Sequence, residues 1–358
     1  MNQAAQQPYV IKGSLPDRYP RGWFCIGAAY EFTNEPRMMN YFGTSLVGYR
    51  GEDGEVHVLD AYCPHMGANL ADGEVKGNSV ICPFHAWSWG ADGICDNIPY
   101  AKKIPPKAVI KSWPAMEENE LVYVWNDPDG GQPIESQKIP HRDVLEEENW
   151  SPWIIDRVEV PSNCRELIDN MADVAHFGVV HQMDQSGMKV TEFKNIADNH
   201  TYAQIMNASM EDGSVRRESL AVYYGPGYML HNLELYDADD NMVDRFLSLV
   251  MNVPTSMGSF EFLAGFKHVL PEGVSGDQTN PEVKAFMDAK LEEHRASSGV
   301  YADLAIWLNK CTIDNPVLCD GDGPVNRLRQ WYEQFLGPVD QIPAVLSERK
   351  VYEKALED

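Results

Sequence analysis

Two cysteines and two histidines form the clearest chemical pattern in the chain. Cys63 and His65 are followed, after a gap of sixteen residues, by Cys82 and His85. Thiolate and imidazole ligands at this spacing can hold a zinc ion or an iron–sulfur cluster. A structural zinc site usually keeps its cysteines together and its histidines together, whereas each half of this pattern supplies one of each. The pattern therefore favours a cluster in which the cysteines bind one iron and the histidines the other.

This ligand set is that of a Rieske 2Fe–2S centre, in which neutral histidines raise the reduction potential. Rieske proteins of respiratory chains resemble the pattern but carry one more cysteine in each loop, and that pair forms a disulfide. The corresponding positions here are Ala68 and Phe84. The stretch is therefore similar to the oxygenase and ferredoxin branch, and a zinc site is the alternative.

A second candidate metal site begins at Asn170. Asn170, Asp173 and His176 are three residues apart, a spacing that would place them on one face of a helix. His181 comes five residues after His176, about 140° round an ideal helix. Both imidazoles can reach one ion only if the helix is bulged or ends between them, most easily at Gly178. Two histidines and one carboxylate form the facial triad of non-haem Fe(II) oxygenases; helix packing is the alternative.

Short strands surround the first motif. Residues 46–50 and 56–59 flank a glycine-containing turn and predict a hairpin, and 121–125 is an apolar run of strand length. These patterns predict an all-β domain over residues 18–127, with a metal cluster joining its loops. A turn sequence then marks a break in the chain.

Residues 128–358 predict an α+β domain. Helical patterns cover residues 167–181, 281–309 and 325–336. Strand patterns cover residues 153–160, 202–206, 219–224, 228–235, 245–253 and 260–268. Consecutive strands with turns between them favour one large antiparallel sheet.

Composition narrows the classes of partner. The 358 residues carry a net charge of −25, which repels phosphate backbones and argues against nucleic acid. No apolar run is long enough for a membrane span, and residues 1–7 lack the pattern of a secretion signal. The seven cysteines show no disulfide framework, so we expect a reducing cytoplasm.

At these motifs the chain resembles the catalytic α subunits of Rieske non-haem iron oxygenases. It is most similar to the oxygenase components of 3-ketosteroid 9α-hydroxylases, through residues 95–101, 163–170, 314–318 and 322–324. The resemblance implies an N-terminal Rieske domain and a C-terminal helix-grip domain with an antiparallel sheet and flanking helices. It also implies a head-to-tail homotrimer, in which the Rieske centre of one subunit serves the mononuclear iron of its neighbour.

The resemblance further implies roles for individual residues. His176 and His181 would bind the mononuclear iron, and Asp173 would bridge His176 to the cluster ligand His85 of the partner subunit. The third iron ligand in this family is a carboxylate from a C-terminal helix. Asp303 has the better helical register, and Asp314 is the competitor. Asn170 would line the site without binding metal.

The resulting functional prediction is O₂-dependent hydroxylation of a large apolar molecule, a 3-ketosteroid, by the terminal oxygenase of a multicomponent system. A separate NADH-dependent reductase would supply electrons. Alternatives are another sterol, a bile acid or an aromatic substrate, with dealkylation or desaturation, and a Rieske electron carrier without oxygenase activity. Apolar character alone makes five residues candidates for the substrate pocket: Phe177, Val180, Met206, Met229 and Phe262.

Overall fold

The computed structural model describes residues 16–182, 189–196, 199–209, 215–297 and 299–347. Residues 1–7, for which no secretion signal is predicted, lie outside this part of the chain. The last eleven residues of the predicted second domain, 348–358, lie outside it as well.

The N-terminal part is built from strands, as predicted, and these form three small antiparallel sheets. Their orders are β1–β11–β10, β2–β3–β4–β9 and β5–β6–β7–β8. The strands are β1 (Gly22–Ala28), β2 (Arg37–Tyr41), β3 (Thr44–Arg50), β4 (Val56–Asp60), β5 (Glu74–Lys76), β6 (Ser79–Ile81), β7 (Ser88–Trp89), β8 (Cys95–Asn97), β9 (Ser112–Trp113), β10 (Ala115–Glu118) and β11 (Leu121–Asn126). The predicted hairpin is confirmed, because β3 pairs with β4 from Leu46 opposite Asp60 to Arg50 opposite Val56.

A seven-stranded antiparallel sheet dominates the C-terminal part, in the order β12–β18–β17–β16–β15–β14–β13. Its strands are β12 (Ile154–Val160), β13 (Lys189–Ile196), β14 (Thr201–Ser209), β15 (Val215–Tyr224), β16 (Tyr228–Asp237), β17 (Met242–Ser256) and β18 (Ser259–His268). The predicted meander is confirmed, and β13 is an edge strand that the sequence did not reveal. The α+β class and the helix-grip arrangement are thus correct.

Six α-helices accompany the sheets in the described residues: α1 (Arg165–Ala172), α2 (His176–Val179), α3 (Pro281–Ala296), α4 (Val300–Trp307), α5 (Val325–Glu333) and α6 (Ile342–Ser347). The continuous helix predicted over 167–181 is wrong. Asp173 is extended (ψ 109°), and its carboxylate accepts the backbone N–H groups of Ala175 and His176. An Asp side chain that caps the next turn in this way ends one helix and starts another.

Two other helices differ from their predicted extents. The helix predicted over 281–309 is interrupted after Ala296, where Ser297 is extended and its hydroxyl donates to the backbone oxygen of His294. The helix predicted over 325–336 ends at Glu333. No helix in the described ranges combines the length and apolar character needed to cross a bilayer.

The large sheet is apolar on both faces, since side chains alternate along each strand. Val222 and Leu249 pack in one hydrophobic cluster with β1 and β11, whereas Ala221 and Val250 pack in another cluster with α1, α4 and α5. A third cluster lies beneath the cysteine and histidine loops. Because the first cluster joins the N-terminal strands to the large sheet, the division into domains 18–127 and 128–358 stays a prediction.

Candidate metal centres and adjoining cavity

His176, His181 and Asp303 meet in one compact group in the C-terminal part. The Nε2 atoms of the two histidines are 3.2 Å apart, and those of His181 and His176 lie 3.3 Å and 3.6 Å from the carboxylate oxygens of Asp303. One candidate ligand atom from each residue lies within 4.8 Å of the others. Two imidazoles and a carboxylate at these distances match the donor set of a mononuclear non-haem iron site.

The break between α1 and α2 positions His176. The helix restarts at this residue, and the Nδ1–H group donates to the backbone oxygen of Asp173 at 2.7 Å. Because a carbonyl can only accept, the proton is on Nδ1 and the lone pair of Nε2 points towards the other two groups. The second helix ends at Val179, before His181, so the required interruption between the histidines exists. Gly178 lies inside α2 and is not where the chain breaks.

The electrostatic environment of His176, His181 and Asp303 favours binding of a cation. Burial is the largest influence on His176 and lowers its pKa, while the carboxylate of Asp303 opposes that effect. A neutral imidazole keeps the lone pair that a metal needs. Asp303 is almost fully buried on α4, and the Nδ2–H group of Asn170 donates to its Oδ1 atom at 3.1 Å. Asn170 therefore orients the carboxylate.

Asp314, the competing third ligand, lies elsewhere. Its carboxylate pairs with the guanidinium of Arg165 at 3.0 Å, and its backbone oxygen accepts from Arg329. The structure thus brings Asp303, and not Asp314, to the histidine pair.

Two similar loops bring the four predicted cluster ligands together: Cys63 and His65 lie on one loop, and Cys82 and His85 on the other. In each loop the cysteine carbonyl accepts a backbone N–H four residues later, from Gly67 and Ala86, and both of these residues have positive φ values of 78° and 55°. The cysteines are buried, and the two imidazole centroids are 4.6 Å apart.

The donor atoms of these loops fit a metal cluster. The Nδ1 atoms of His65 and His85 are buried and have no hydrogen-bonding partner in the described part of the chain. Burial raises the pKa of the Cys63 thiol, and the neighbouring Cys82 raises it further. Two buried imidazole nitrogens without partners and two adjacent thiols are costly unless a cation binds them.

Aromatic side chains support the histidine side of this site. The indole of Trp87 stacks on His65, with centroids 4.5 Å apart and planes 12° apart, and its N–H group donates to the hydroxyl of Tyr100 at 2.8 Å. Met66, Phe84 and Tyr100 are exposed beside the loops, between 59% and 65%. The cluster site therefore lies under an apolar patch of the surface.

A cavity of about 490 Å³ adjoins the group formed by His176, His181 and Asp303. Asn170, His181 and Asp303 form one wall, and inward-facing residues of β15, β16, β17 and β18 form much of the remainder. Of the five pocket candidates, Phe177 and Met229 line this cavity. Val180 instead lines a second depression of about 320 Å³, next to Asp173 and His176. Met206 and Phe262 are almost fully buried and line neither space.

Each half of the chain matches a known protein family. Residues 22–114 match the Rieske [2Fe-2S] domain, and residues 124–336 match the 3-ketosteroid 9α-hydroxylase C-terminal domain. A probable 3-ketosteroid-9-alpha-monooxygenase oxygenase component from Rhodococcus rhodochrous is 39% identical over 95% of this chain and 86% of its own length. The 3-ketosteroid-9-alpha-monooxygenase oxygenase component of Mycobacterium tuberculosis is 36% identical over 95% of this chain and 88% of its own length.

This chain belongs to the 3-ketosteroid 9α-hydroxylase family of Rieske oxygenase components. Members of this oxygenase family are Rieske-type non-haem iron monooxygenases, and an oxygenase component works with a separate reductase on a small molecule. The crystal structure of dicamba monooxygenase bound to dicamba has the same fold, with a TM-score of 0.68 and 19% identity over 90% of this chain and 98% of that one. A Rieske cluster and a non-haem iron are therefore the metal groups that the family implies.

Several cavity residues of this oxygenase component were not predicted from its sequence. Arg217 on β15 and His231 on β16 face the cavity, as do Ala221 and Tyr223. The period of two along each strand was the available signal, since residues 215, 217, 221 and 223 share one face. The charged residues on β15 obscured that alternation.

Proposed function

We propose that this chain is the terminal oxygenase that hydroxylates a 3-ketosteroid in an O₂-dependent reaction. One observation carries the proposal: two largely buried histidines and a buried carboxylate form one group, and two of its members, His181 and Asp303, line a largely apolar cavity of about 490 Å³. Such a cavity suits a large apolar molecule. The family membership supports a steroid with a 3-keto group as that molecule.

We propose that Cys63, Cys82, His65 and His85 hold the 2Fe–2S cluster. His176, His181 and Asp303 would hold Fe(II). The buried Nδ1 atoms, the adjacent thiols and the short distances in the second group support these assignments. When bound, the cluster supplies electrons one at a time, and an iron with open coordination positions supplies dioxygen activation.

The protein's own residues would prepare the site. Asn170 holds the Asp303 carboxylate, and the carbonyl of Asp173 fixes the ring of His176. Apolar walls formed by residues such as Leu167, Met229 and Val250 keep water from the reacting carbon. A substrate placed against these walls lies next to His181 and Asp303, where its C–H bond can be attacked.

A homotrimer, an NADH-dependent reductase and a cytoplasmic location complete the proposal. Exposed apolar residues beside both candidate metal sites support contacts between subunits there. They are Phe84 and Met66 next to the cluster loops, and Val317 and Ile306 at the depression that His176 lines.

Asp173 lines the same depression, and its side chain is 40% exposed, so a neighbouring subunit can reach it. We propose that His85 of the partner subunit docks there.

Turnover in ¹⁸O₂ tests the function. The purified holoprotein, supplied with a Rieske-system reductase and NADH, is given a 4-en-3-one steroid, and products are analysed by mass spectrometry. The proposal predicts a hydroxylated steroid with one ¹⁸O atom and loss of turnover in Asp303→Ala. NADH oxidation without any oxygenated steroid would contradict it and would favour another substrate or an electron carrier.

A further inference from the structure

A buried indole N–H group lies beneath the cluster loops. The side chain of Trp89 is 0% exposed. Its Nε1 atom is buried and has no nitrogen or oxygen partner within the described ranges. An unpaired buried donor is costly, so a partner of another kind is expected for this group.

Strand pairing places this indole on the face that carries Cys82. The second ligand loop connects β6 and β7, in which Val80 lies opposite Trp89. One step closer to the loop, the backbone N–H group of Cys82 donates to the backbone oxygen of Trp87 at 2.8 Å. Because side chains alternate along a strand, Trp87 and Trp89 share one face, and their ring centroids are 5.9 Å apart. Trp89 is thus a diagonal neighbour of Cys82, within reach of an aromatic side chain.

The surroundings of Trp89 favour a sulfur atom as the acceptor. Trp89 packs with Cys63 and Cys82 in one hydrophobic cluster. The other members of this cluster with a polar side-chain atom already have hydrogen-bonding partners: Tyr49 with Asn78, Trp87 with Tyr100, and Cys95 with Asn97. Among the described members, the sulfur atoms of Cys63 and Cys82 are therefore the acceptors that remain.

A hydrogen bond to a cysteine ligand acts on the redox chemistry of a cluster. When the reductase supplies one electron, the sulfur atoms become more negative, no bond breaks and the indole keeps its proton. A hydrogen-bond donor stabilises negative charge on sulfur and so favours the reduced form. Hydrogen bonds to the sulfurs are among the features that set the potentials of iron–sulfur clusters.

We propose that Trp89 donates a hydrogen bond to a cysteine ligand of the 2Fe–2S cluster, Cys63 or Cys82, and thereby raises the reduction potential of that cluster. The inference rests on the proposed cluster site and adds the residue that sets how readily this site takes an electron. Trp89 lines neither the substrate cavity nor the depression beside His176, so its effect on turnover passes through the cluster.

Potentiometric titration of the purified holoprotein tests the hydrogen bond without turnover. The electron paramagnetic resonance signal of the reduced cluster reports the fraction reduced. Trp89→Phe keeps an aromatic ring and removes the donor. The ratio of reduced to oxidised cluster at a fixed potential should fall about tenfold, as expected for one hydrogen bond to a charged group. For a one-electron couple this is a shift of about 59 mV to lower potential.

An isosteric replacement separates the hydrogen bond from packing. Replacement of Trp89 by 3-benzothienylalanine keeps the shape of the side chain and removes only the N–H group. The protein with this residue should show the same shift. It also decides the question if Trp89→Phe does not hold a cluster.

Trp113→Phe is the matched control. Trp113 is another buried tryptophan of the N-terminal part, but it packs in a different hydrophobic cluster, and its N–H group donates to Oδ1 of Asp60 at 2.9 Å. This variant should leave the potential of the 2Fe–2S cluster unchanged.

Three results would overturn the hydrogen bond. They are an unchanged potential in the isosteric protein, an equal shift in Trp113→Phe, and failure of the isosteric protein to hold a cluster, which would assign Trp89 to assembly. Absence of a cluster from the unmodified protein would overturn both this inference and the proposed cluster site.

The proposed reaction fails separately. If the potential falls as expected but the unmodified protein hydroxylates no steroid, the hydrogen bond stands and the reaction is wrong. If the steroid is hydroxylated but the potential does not change in the isosteric protein, the reaction stands and the hydrogen bond is wrong.

Discussion

The Nε2 atom of His181 lies 3.3 Å from a carboxylate oxygen of Asp303. His181 follows α2 and Asp303 is buried on α4, and the strands β13 to β18 separate the two residues in the sequence. The candidate iron site therefore forms only when separate elements of the C-terminal part come together, and one helix alone cannot supply it.

Removal of the Asp303 carboxylate should empty one metal site and spare the other. In Asp303→Ala two imidazoles remain, and we expect the mononuclear iron to be lost while the 2Fe–2S cluster is retained. Iron analysis should show one iron fewer per chain. Asp314→Ala is the control, since Asp314 pairs with Arg165 and not with the histidines; loss of iron in that variant instead would reverse the assignment.

The charge and the capping role of Asp173 can be separated. Asp173→Asn keeps a side-chain oxygen for the N–H groups of Ala175 and His176, so the helix start and the iron content should be unchanged. Product formation should fall at least about 10-fold if the carboxylate bridges to His85 of the partner subunit. Asp173→Ala should in addition lower stability by about 1 kcal/mol through loss of the cap. Unchanged turnover in the Asn variant would remove the bridging role.

Substitutions on the two faces of β15 test whether the substrate binds in the cavity. Ala221 is buried and lines it, whereas Leu220, the preceding residue on β15, is partly exposed and absent from its lining. Ala221→Phe should fill part of the space and raise the KM for a steroid substrate by about tenfold, with metal content unchanged. Leu220→Phe should leave KM unaltered. Equal effects from both substitutions would show that the substrate binds elsewhere.

A buried histidine pair should make stability depend on pH. The Nε2 atoms of His268 and His294 are 2.7 Å apart, and burial is the main cause that lowers the pKa of each from 6.5 to about 4. Between these values the unfolded chain binds more protons than the folded chain. The free energy of unfolding should therefore fall as pH decreases from 6.5 to 4, by about 3 kcal/mol or more, since each unit of pKa shift corresponds to about 1.4 kcal/mol.

The variant His294→Phe isolates this effect. It keeps an aromatic ring against Phe266, on which His294 stacks at 3.7 Å, but it removes one of the two titrating groups. Denaturation at several pH values should give a shallower dependence in the variant. An identical slope in both proteins would show that the pair does not control acid sensitivity.

The candidate metal ligands were easier to predict from local sequence motifs than the residues that surround them. The residues of the two ligand loops and the histidines could be named because their spacing within short segments restricts the chemistry. Helical register favoured Asp303 over Asp314, and the structure places Asp303 beside the histidines. Their roles as metal ligands stay predictions until metal is measured.

What the sequence did not reveal depends on side-chain capping and tertiary contacts. The break at Asp173 follows from hydrogen bonds of its carboxylate, which compete with a helical pattern that otherwise continues to His181. The positions of Arg217 and His231 in the cavity depend on which face of the sheet the helices cover. Met206 and Phe262 have the same apolar character as Met229 but pack in the protein interior.

Measurement of iron and acid-labile sulfide in the anaerobically purified protein, together with its reduced-state electron paramagnetic resonance spectrum, tests the two-site account most directly. The account predicts three irons and two sulfides per chain and a Rieske-type signal from the reduced cluster. Zinc in place of iron at the cysteine and histidine loops, or two irons per chain with His176 and His181 unmetallated, would contradict it.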